Sequence, residues 1–185
     1  FALLINGVEQ DTVCSMPGEI VCFDIQVNDF DDIIALGLSL NWDPNVYEYD
    51  HLEAFGIPGL DLSGFGTPTP GFPDVEEGEL TMSWIDLSLE GVTLPDFAII
   101  FTVCLKAVGA AGTSSPITFS QTPLEIEAAT IDSTLVPSLL HGFGQISANC
   151  DPMGCDNLSY TLVTIDPQCP RDCNGVLNLT VVENC

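Results

Sequence analysis

The chain has 185 residues and a mass of 19.8 kDa, with 27 acidic side chains against two basic ones, Lys106 and Arg171, for a formal charge of −25. That balance excludes nucleic acid as a partner, because binding a polyphosphate depends on Lys and Arg displacing condensed counterions, and it disfavours an anionic membrane surface by the same sign. Only 16% of residues are charged while 46% are hydrophobic, so the imbalance reflects missing cations in a chain able to build a core, and disorder is excluded as well.

The first predicted strands are Phe1 to Val8 and Glu19 to Val27; in the second, Phe23, Ile25 and Val27 alternate with Cys22, Asp24 and Gln26. In the next, Ile34, Leu36, Leu38, Leu40 and Trp42 share one face and Ala35, Gly37, Ser39 and Asn41 the other, until Asp43-Pro44 stops it. A Gly/Pro-rich segment from Phe55 to Gly78 is too long for a plain turn. Alternation resumes with Leu80, Met82 and Trp84 and continues through Ile99 to Val108, where Phe101, Val103 and Leu105 oppose Thr102, Cys104 and Lys106. After a small-residue turn at 109–115, Ile117 to Phe119 and Leu124 to Ile126 read as two short strands. Sustained helical periodicity is lacking, so the pattern predicts an all-β, antiparallel, jelly-roll-like sandwich over residues 1–147. Residues 148–185 hold five of the eight cysteines and read as a disulfide-rich C-terminal extension or the start of a following module.

An even cysteine count at this density reads as disulfides, and hence as an extracellular, secreted or cell-surface protein. The spacings Cys150-x4-Cys155 and Cys169-x3-Cys173 are not paired zinc knuckles. No stretch approaches the ~18 apolar residues of a membrane span, and no basic segment precedes an apolar one. A start at Phe1 without an initiator Met reads as a mature or excised piece of a secreted protein. Cys22 and Cys104 both lie on the polar faces of their strands and would form a cross-strand bridge if those strands are neighbours, with Asp24 opposite Thr102. The other six, Cys14, Cys150, Cys155, Cys169, Cys173 and Cys185, allow fifteen pairings. Cys14 is expected to reach the C-terminal cluster or another chain.

The motifs of enzymes are missing. There is no G-x-S-x-G, His51 and His141 read as ordinary surface or turn residues, and neither G-x-G-x-x-G nor a Walker A sequence occurs. Among 27 carboxylates, candidate acid pairs for glycoside hydrolysis carry no information. No catalytic residue is therefore assigned and no cofactor is expected, with calcium as the one metal to consider: Asp29, Asp31 and Asp32 are the densest acidic group, although they lack EF-hand spacing and also fit a solvated turn, and Asp74, Glu76 and Glu77 are a sparser set. Tyr47, Tyr49, Phe55, Phe65 and Phe72 would either stack sugars or anchor the long loop to the core. Asn157 and Asn178 head N-glycosylation sequons, and Thr12 and Ser133 follow an aspartate in a pattern of bacterial O-glycosylation.

In order, Gly18-Glu-Ile-Val-Cys-Phe-Asp-Ile-Gln-Val27, the strand from Ile33 to Leu40 ending in Asn41-Trp-Asp-Pro44, Leu80-Thr-Met-Ser-Trp84, Gly91-Val-Thr-Leu-Pro95, and Ile100-Phe-Thr-Val-Cys-Leu-Lys-Ala-Val-Gly109 followed by Thr113-Ser-Ser-Pro116 resemble a cohesin-type module over about residues 5 to 147. The resemblance implies a nine-stranded sandwich related to cellulose-binding modules, in which the strand at 19–27 lies beside that at 99–108. It implies a dockerin as partner, with calcium carried by the dockerin. Modules with this cysteine pattern also resemble parts of giant surface and adhesin proteins of gliding or predatory bacteria, and the tail at Cys169 to Val182 is similar to the opening of gliding-adhesin repeats. The long loop at 55–78 and the cysteine-rich tail depart from compact cellulosomal cohesins.

The expected function is a non-enzymatic structural or adhesive module of a secreted, cell-surface or filament-forming bacterial protein, acting by packing against other protein modules or copies of itself. The alternatives are a cohesin-like receptor for a dockerin-type ligand and a carbohydrate-binding module with glycans as partners. With two cations per chain, contacts between copies could not rest on salt bridges.

Overall fold

The computed structural model describes residues 1–6, 12–67, 69, 70, 75–150, 159–161 and 180–182. The chain divides into two compact units, 1–148 and 149–185. In chain order the strands of the first are β1 (Ala2–Ile5), β2 (Thr12–Ser15), β3 (Ile20–Asn28), β4 (Phe30–Ile33), β5 (Ala35–Asn41) and β6 (Tyr47–Glu53), then β7 (Gly66–Thr67), β8 (Thr69–Pro70), β9 (Glu79–Ile85), β10 (Val92–Leu94) and β11 (Ala98–Ala107). They continue with β12 (Ser114–Ser120), β13 (Glu127–Ala129), β14 (Thr134–Leu135), β15 (Ser138–Leu140) and β16 (Gly142–Ile146). The second unit has β17 (Ser159–Thr161) paired antiparallel with β18 (Thr180–Val182). Two short 3-10 helices, Leu62–Gly64 and Val75–Glu77, interrupt the long Gly/Pro-rich loop. No helix among the described residues is long and apolar enough to cross a membrane.

Two sheets form the sandwich. The first runs β15-β1-β3-β11-β6; the second runs β14-β13-β5-β12-β16-β2, with β9 on the free side of β5. The pairing is mostly antiparallel, as the short Gly/Pro-punctuated strands require, but β1 with β15 and β2 with β16 are parallel. Those two contacts arise because the N-terminal strand is divided, β1 joining one sheet and β2 the other. The period-2 pattern sets the layers: Phe23, Ile25 and Val27 face Leu36, Leu38 and Leu40 across the core, all at most 1% exposed, and Phe101, Val103 and Leu105 complete it from β11.

Three expectations change. The segment at Tyr47–Glu53 is a strand, β6, that extends the first sheet beyond β11. Its alternation is masked by an extra residue: His51 lies opposite Cys104 and Tyr49 opposite Leu105, which leaves Asp50 as a bulge. Leu124 to Ile126 is not a strand. Leu124 makes both its backbone hydrogen bonds to the Ser39 hydroxyl, at 2.8 and 2.9 Å, and pairing with β5 resumes only at Glu127. The predicted strand from Ile34 to Trp42 begins one residue later, because β4 and β5 break at Ile34, whose amide bonds Ala129 and whose carbonyl accepts from Asp86.

Tyr47 joins the sheets at one end of the core. Its ring is fully buried edge-on to Phe23, its hydroxyl lies 3.3 Å from Ser15 Oγ, and its carbonyl accepts from Trp42 Nε1 at 3.0 Å. A Cβ at Gly144 would stand 2.6–2.8 Å from Tyr47 Cε2, Oη and Cζ. Since that ring has no free space to move into, Gly144→Ala is expected to lower stability by about 1–3 kcal/mol, read as a lower urea midpoint. Gly112→Ala, where a Cβ meets nothing within 4 Å but φ is +95°, separates the steric effect from a backbone one.

Candidate functional site

The two outer faces of the sandwich differ in chemistry. On the first sheet, strands β3, β11 and β6 present Cys22, Asp24, Thr102, Lys106, Glu48, His51 and Glu53 outward. Cys22 and Cys104 are directly opposed and joined by a disulfide, and Thr102 Oγ1 donates to Asp24 Oδ1 at 2.7 Å in the next row. His51 Nδ1 lies 2.6 Å from Asp50 Oδ2 and Nε2 lies 3.6 Å from Glu53 Oε2. The hydrogen bond to Asp50, with the negative charge of both carboxylates, pushes the imidazole above its ordinary range. This face is polar and anionic.

The second sheet is different. Because Leu36, Leu38 and Leu40 point to the core, alternation turns Ala35, Gly37, Ser39 and Asn41 outward. Register then sets Ile85, Ala35, Ala129 and Thr134 in one row across four strands, with Ser83, Gly37 and Glu127 in the next. The segment 120–126, with a cis Thr122-Pro123 bond, folds over Ser39 and forms a wall beside this floor. The result is a cavity of about 320 Å³ floored by Ala35 and Gly37, flanked by Ser83 and Ile85 on one side and Leu124, Glu125, Glu127 and Ala129 on the other.

At the same end of the sheet, the turn after β9 holds Leu87 and Leu89 in water, 88% and 50% exposed, beside Ile85 at 57%. That turn is built by Asp86, whose carboxylate accepts from Ser88 N, Ser88 Oγ and Gly91 N; these bonds hold its carboxyl below the usual range. Ile131, in the turn between β13 and β14, is 66% exposed. Exposed aliphatic side chains in the turns at one end of a small-residue floor that is rimmed by carboxylates suit a complementary surface.

Sequence reasoning missed this surface, although a signal for it exists. Leu80, Met82 and Trp84 occupy the even positions of β9 and face in, whereas Ile85, Leu87 and Leu89 continue the apolar run on odd ones, so the parity changes where the strand leaves the core.

The other candidate residues are dispersed. Asp29, Asp31 and Asp32 are exposed around β4; the amides of Asp29 and Asp32 bond Asp96 Oδ1 and Thr93 Oγ1. Among the described residues the one group of potential metal ligands is Cys22, Glu53 and Cys104. Glu76 and Glu77 are exposed in the second 3-10 helix, and Asp74 and Phe72 lie outside the described residues. Tyr47 and Phe65 are buried and Tyr49 and Phe55 pack partly against the core, so these four anchor loop and strand and do not form an exposed stacking platform. His141 is exposed, with Nδ1 accepting from Phe119 N at 3.1 Å. Thr12 on β2 and Ser133 in the 130–133 turn are exposed; Asn157 and Asn178 fall outside the described residues. Cys14 and Cys150 are disulfide-bonded, and Cys155, Cys169, Cys173 and Cys185 lie outside the described residues.

No protein-family model matches the sequence, and no curated protein matches it. Solved structures are. The seventh ScaB type I cohesin from Pseudobacteroides cellulosolvens aligns with TM-score 0.62 and 14% identity over 81% of this chain and 95% of that one. The third cohesin of ScaC from Acetivibrio cellulolyticus, solved with the ScaB dockerin, gives 0.61 and 17% over 79% and 99%. A type I cohesin–dockerin complex from Clostridium thermocellum gives 0.60 and 16% over 79% and 99%. At such identities the likeness concerns the fold, and what it establishes is that the sandwich of this acidic, disulfide-bearing chain has the fold of a cohesin module.

Proposed function

We propose that residues 1–148 are a non-enzymatic protein-docking module of an extracellular structural or adhesive bacterial protein, and that the outer face of β5, β9 and β13 is where the partner sits. The observation that carries the reading is the contrast between faces: one is covered by carboxylates and a disulfide, the other offers a small-residue floor walled by Ile85 and Leu124, with Leu87 and Ile131 exposed in the turns at the same end of the sheet. Bridged cysteines support an oxidising, extracellular setting, and the likeness to cohesins solved with dockerins supports a protein ligand.

The partner's chemistry follows from the charge. Glu125 and Glu127 rim the cavity and the chain carries −25 overall, so a second copy approaches against repulsion. A small module that inserts an apolar side chain and flanks it with Lys or Arg is favoured, and a dockerin-type ligand of that character belongs to this class. Calorimetric titration of the full chain against a panel of dockerin modules tests the reading. Saturable one-to-one binding is expected, with affinity falling as NaCl rises from 50 to 500 mM because exposed charges are screened. Failure of every basic-faced dockerin, together with concentration-dependent self-association in light scattering, would replace the heterotypic reading by packing between copies.

A further inference from the structure

We propose that Cys22, Cys104, Glu53 and His51 form a latent site for a zinc-class divalent ion, closed while the disulfide is intact and opened by its reduction. The proposal is independent of the docking face, since it concerns the opposite sheet.

The four side chains are placed by strand register. Cys22, Cys104 and His51 occupy one row across β3, β11 and β6, and Glu53 lies two residues further along β6 on the same outward face. Glu53 stands between the other groups. Its Oε1 lies 3.9 Å from Cys104 Sγ, and its Oε2 lies 3.6 Å from His51 Nε2. The first of these is a contact and not a hydrogen bond, because a bridged sulfur has no proton to donate. One Glu53 oxygen and both sulfurs lie within 4.8 Å of one another.

The two sulfurs and one Glu53 oxygen form the gathered group, and His51, outside it, borders it through the second Glu53 oxygen, so a small turn of the imidazole toward the sulfurs would complete two thiolates, one carboxylate oxygen and one nitrogen, ligands of the kind that zinc takes tetrahedrally. A bridged pair offers no thiolate, so the site is closed in the oxidised chain. Asp50 supplies what surrounds such a ligand: its carboxylate, 2.6 Å from His51 Nδ1, holds the proton there and leaves Nε2 as the ligating atom turned toward Glu53. The bulge that makes Asp50 an extra residue in β6 puts this carboxylate beside the ring.

Cys22 is solvent-exposed and Cys104 is buried, so a thiol reductant meets the bridge from the Cys22 side. The S–S bond breaks, both sulfurs finish protonated, and two equivalents of thiol leave as their own disulfide. Metal binding then releases the two thiol protons to solvent as the sulfurs become thiolates.

The test uses the full chain, reduced with a dithiol, freed of it by anaerobic gel filtration and titrated with Co²⁺ as a spectroscopic probe. One Co²⁺ per chain is expected at this site, with thiolate charge-transfer absorption in the near ultraviolet and tetrahedral d–d bands, none of it in the oxidised chain. Because reduction also opens the bridges of Cys14 and Cys150, alkylation mapping over all eight cysteines assigns the site. Zn²⁺ should protect Cys22 and Cys104 from iodoacetamide while the other six react. Asp50→Asn, which leaves all four ligands in place, should weaken binding about 10–100-fold. The proposal is overturned if the double variant Cys22→Ala, Cys104→Ala keeps the same cobalt spectrum. It is overturned equally if protection by Zn²⁺ is absent or spread over all the cysteines, an outcome that also covers a reduced chain that has lost its fold.

Discussion

Replacing Cys22 and Cys104 together by alanine is expected to lower the free energy of unfolding by about 2–4 kcal/mol and Tm by about 5–15 °C. The bridge closes a loop across a sequence separation of 82 residues and joins the central strand of the first sheet, β3, to its interior neighbour β11. Chain entropy alone would give about 4.5 kcal/mol for a loop of that length. The lower range is expected because Cys14 and Cys150 are also bridged, so the unfolded chain is already restricted. Truncating the two sulfurs adds little to this. Cys22 is exposed, and the contacts Cys104 loses lie on the outer face, away from the core between the sheets. Trp42 and Trp84, both buried, report unfolding by fluorescence in urea. A loss under about 0.5 kcal/mol would mean that the strand pairing of β3 with β11 holds this sheet without its staple.

Ile85→Asp is expected to weaken partner binding at least about 30-fold, the effect of losing a hot spot of roughly 2 kcal/mol. Stability should change by less than about 0.5 kcal/mol, since the side chain is 57% exposed. The substitution removes an aliphatic wall and adds a third carboxylate to a rim that already holds Glu125 and Glu127. Ala35→Arg should act through the floor instead, filling the cavity while adding a cation; a comparable loss from both variants would assign the effect to shape and not to charge. Thr102→Ala, on the outer face of the other sheet, should leave affinity unchanged. Equal affinities for all three variants would move the docking surface elsewhere.

Most of the fold was legible because alternation is a backbone property. Strands β3, β5, β9 and β11 each carry three or more core residues at every second position, and each formed within one or two residues of its expected bounds. Cys22 and Cys104 stood on the polar parity of two such strands, which is why their pairing could be reasoned from sequence. Segments whose partners are not strands were less legible. The Leu-Glu-Ile run at 124–126 alternates properly, yet Leu124 bonds the Ser39 hydroxyl and the Ile126 amide donates to Gln121 Oε1, side-chain bonds that take the place of a partner strand. In β6 the bulge at Asp50 shifts parity midway, so a true strand read as a loop with aromatics. The proposed docking surface was hidden for another reason: Ala35, Gly37 and Ala129 acquire meaning only when register sets them side by side with Ile85.

The acidic balance takes on a more definite role in this light. Carboxylates occupy the outer face of the first sheet and the rim of the cavity on the second, while Lys106 is the one cation among the described side chains, on the face away from the cavity. Repulsion therefore acts against stacking of like copies, and under the proposed docking it would favour a basic partner at the apolar face.

Hydrogen–deuterium exchange of the full chain, free and saturated with a dockerin module that binds it, tests the central claim most directly. The account predicts slowed exchange confined to residues 35–37, 79–89 and 124–131, with 20–28, 47–53 and 98–107 unchanged. Protection centred on 20–28 and 47–53, with 79–89 unaffected, would place the partner on the disulfide-bearing face and contradict it.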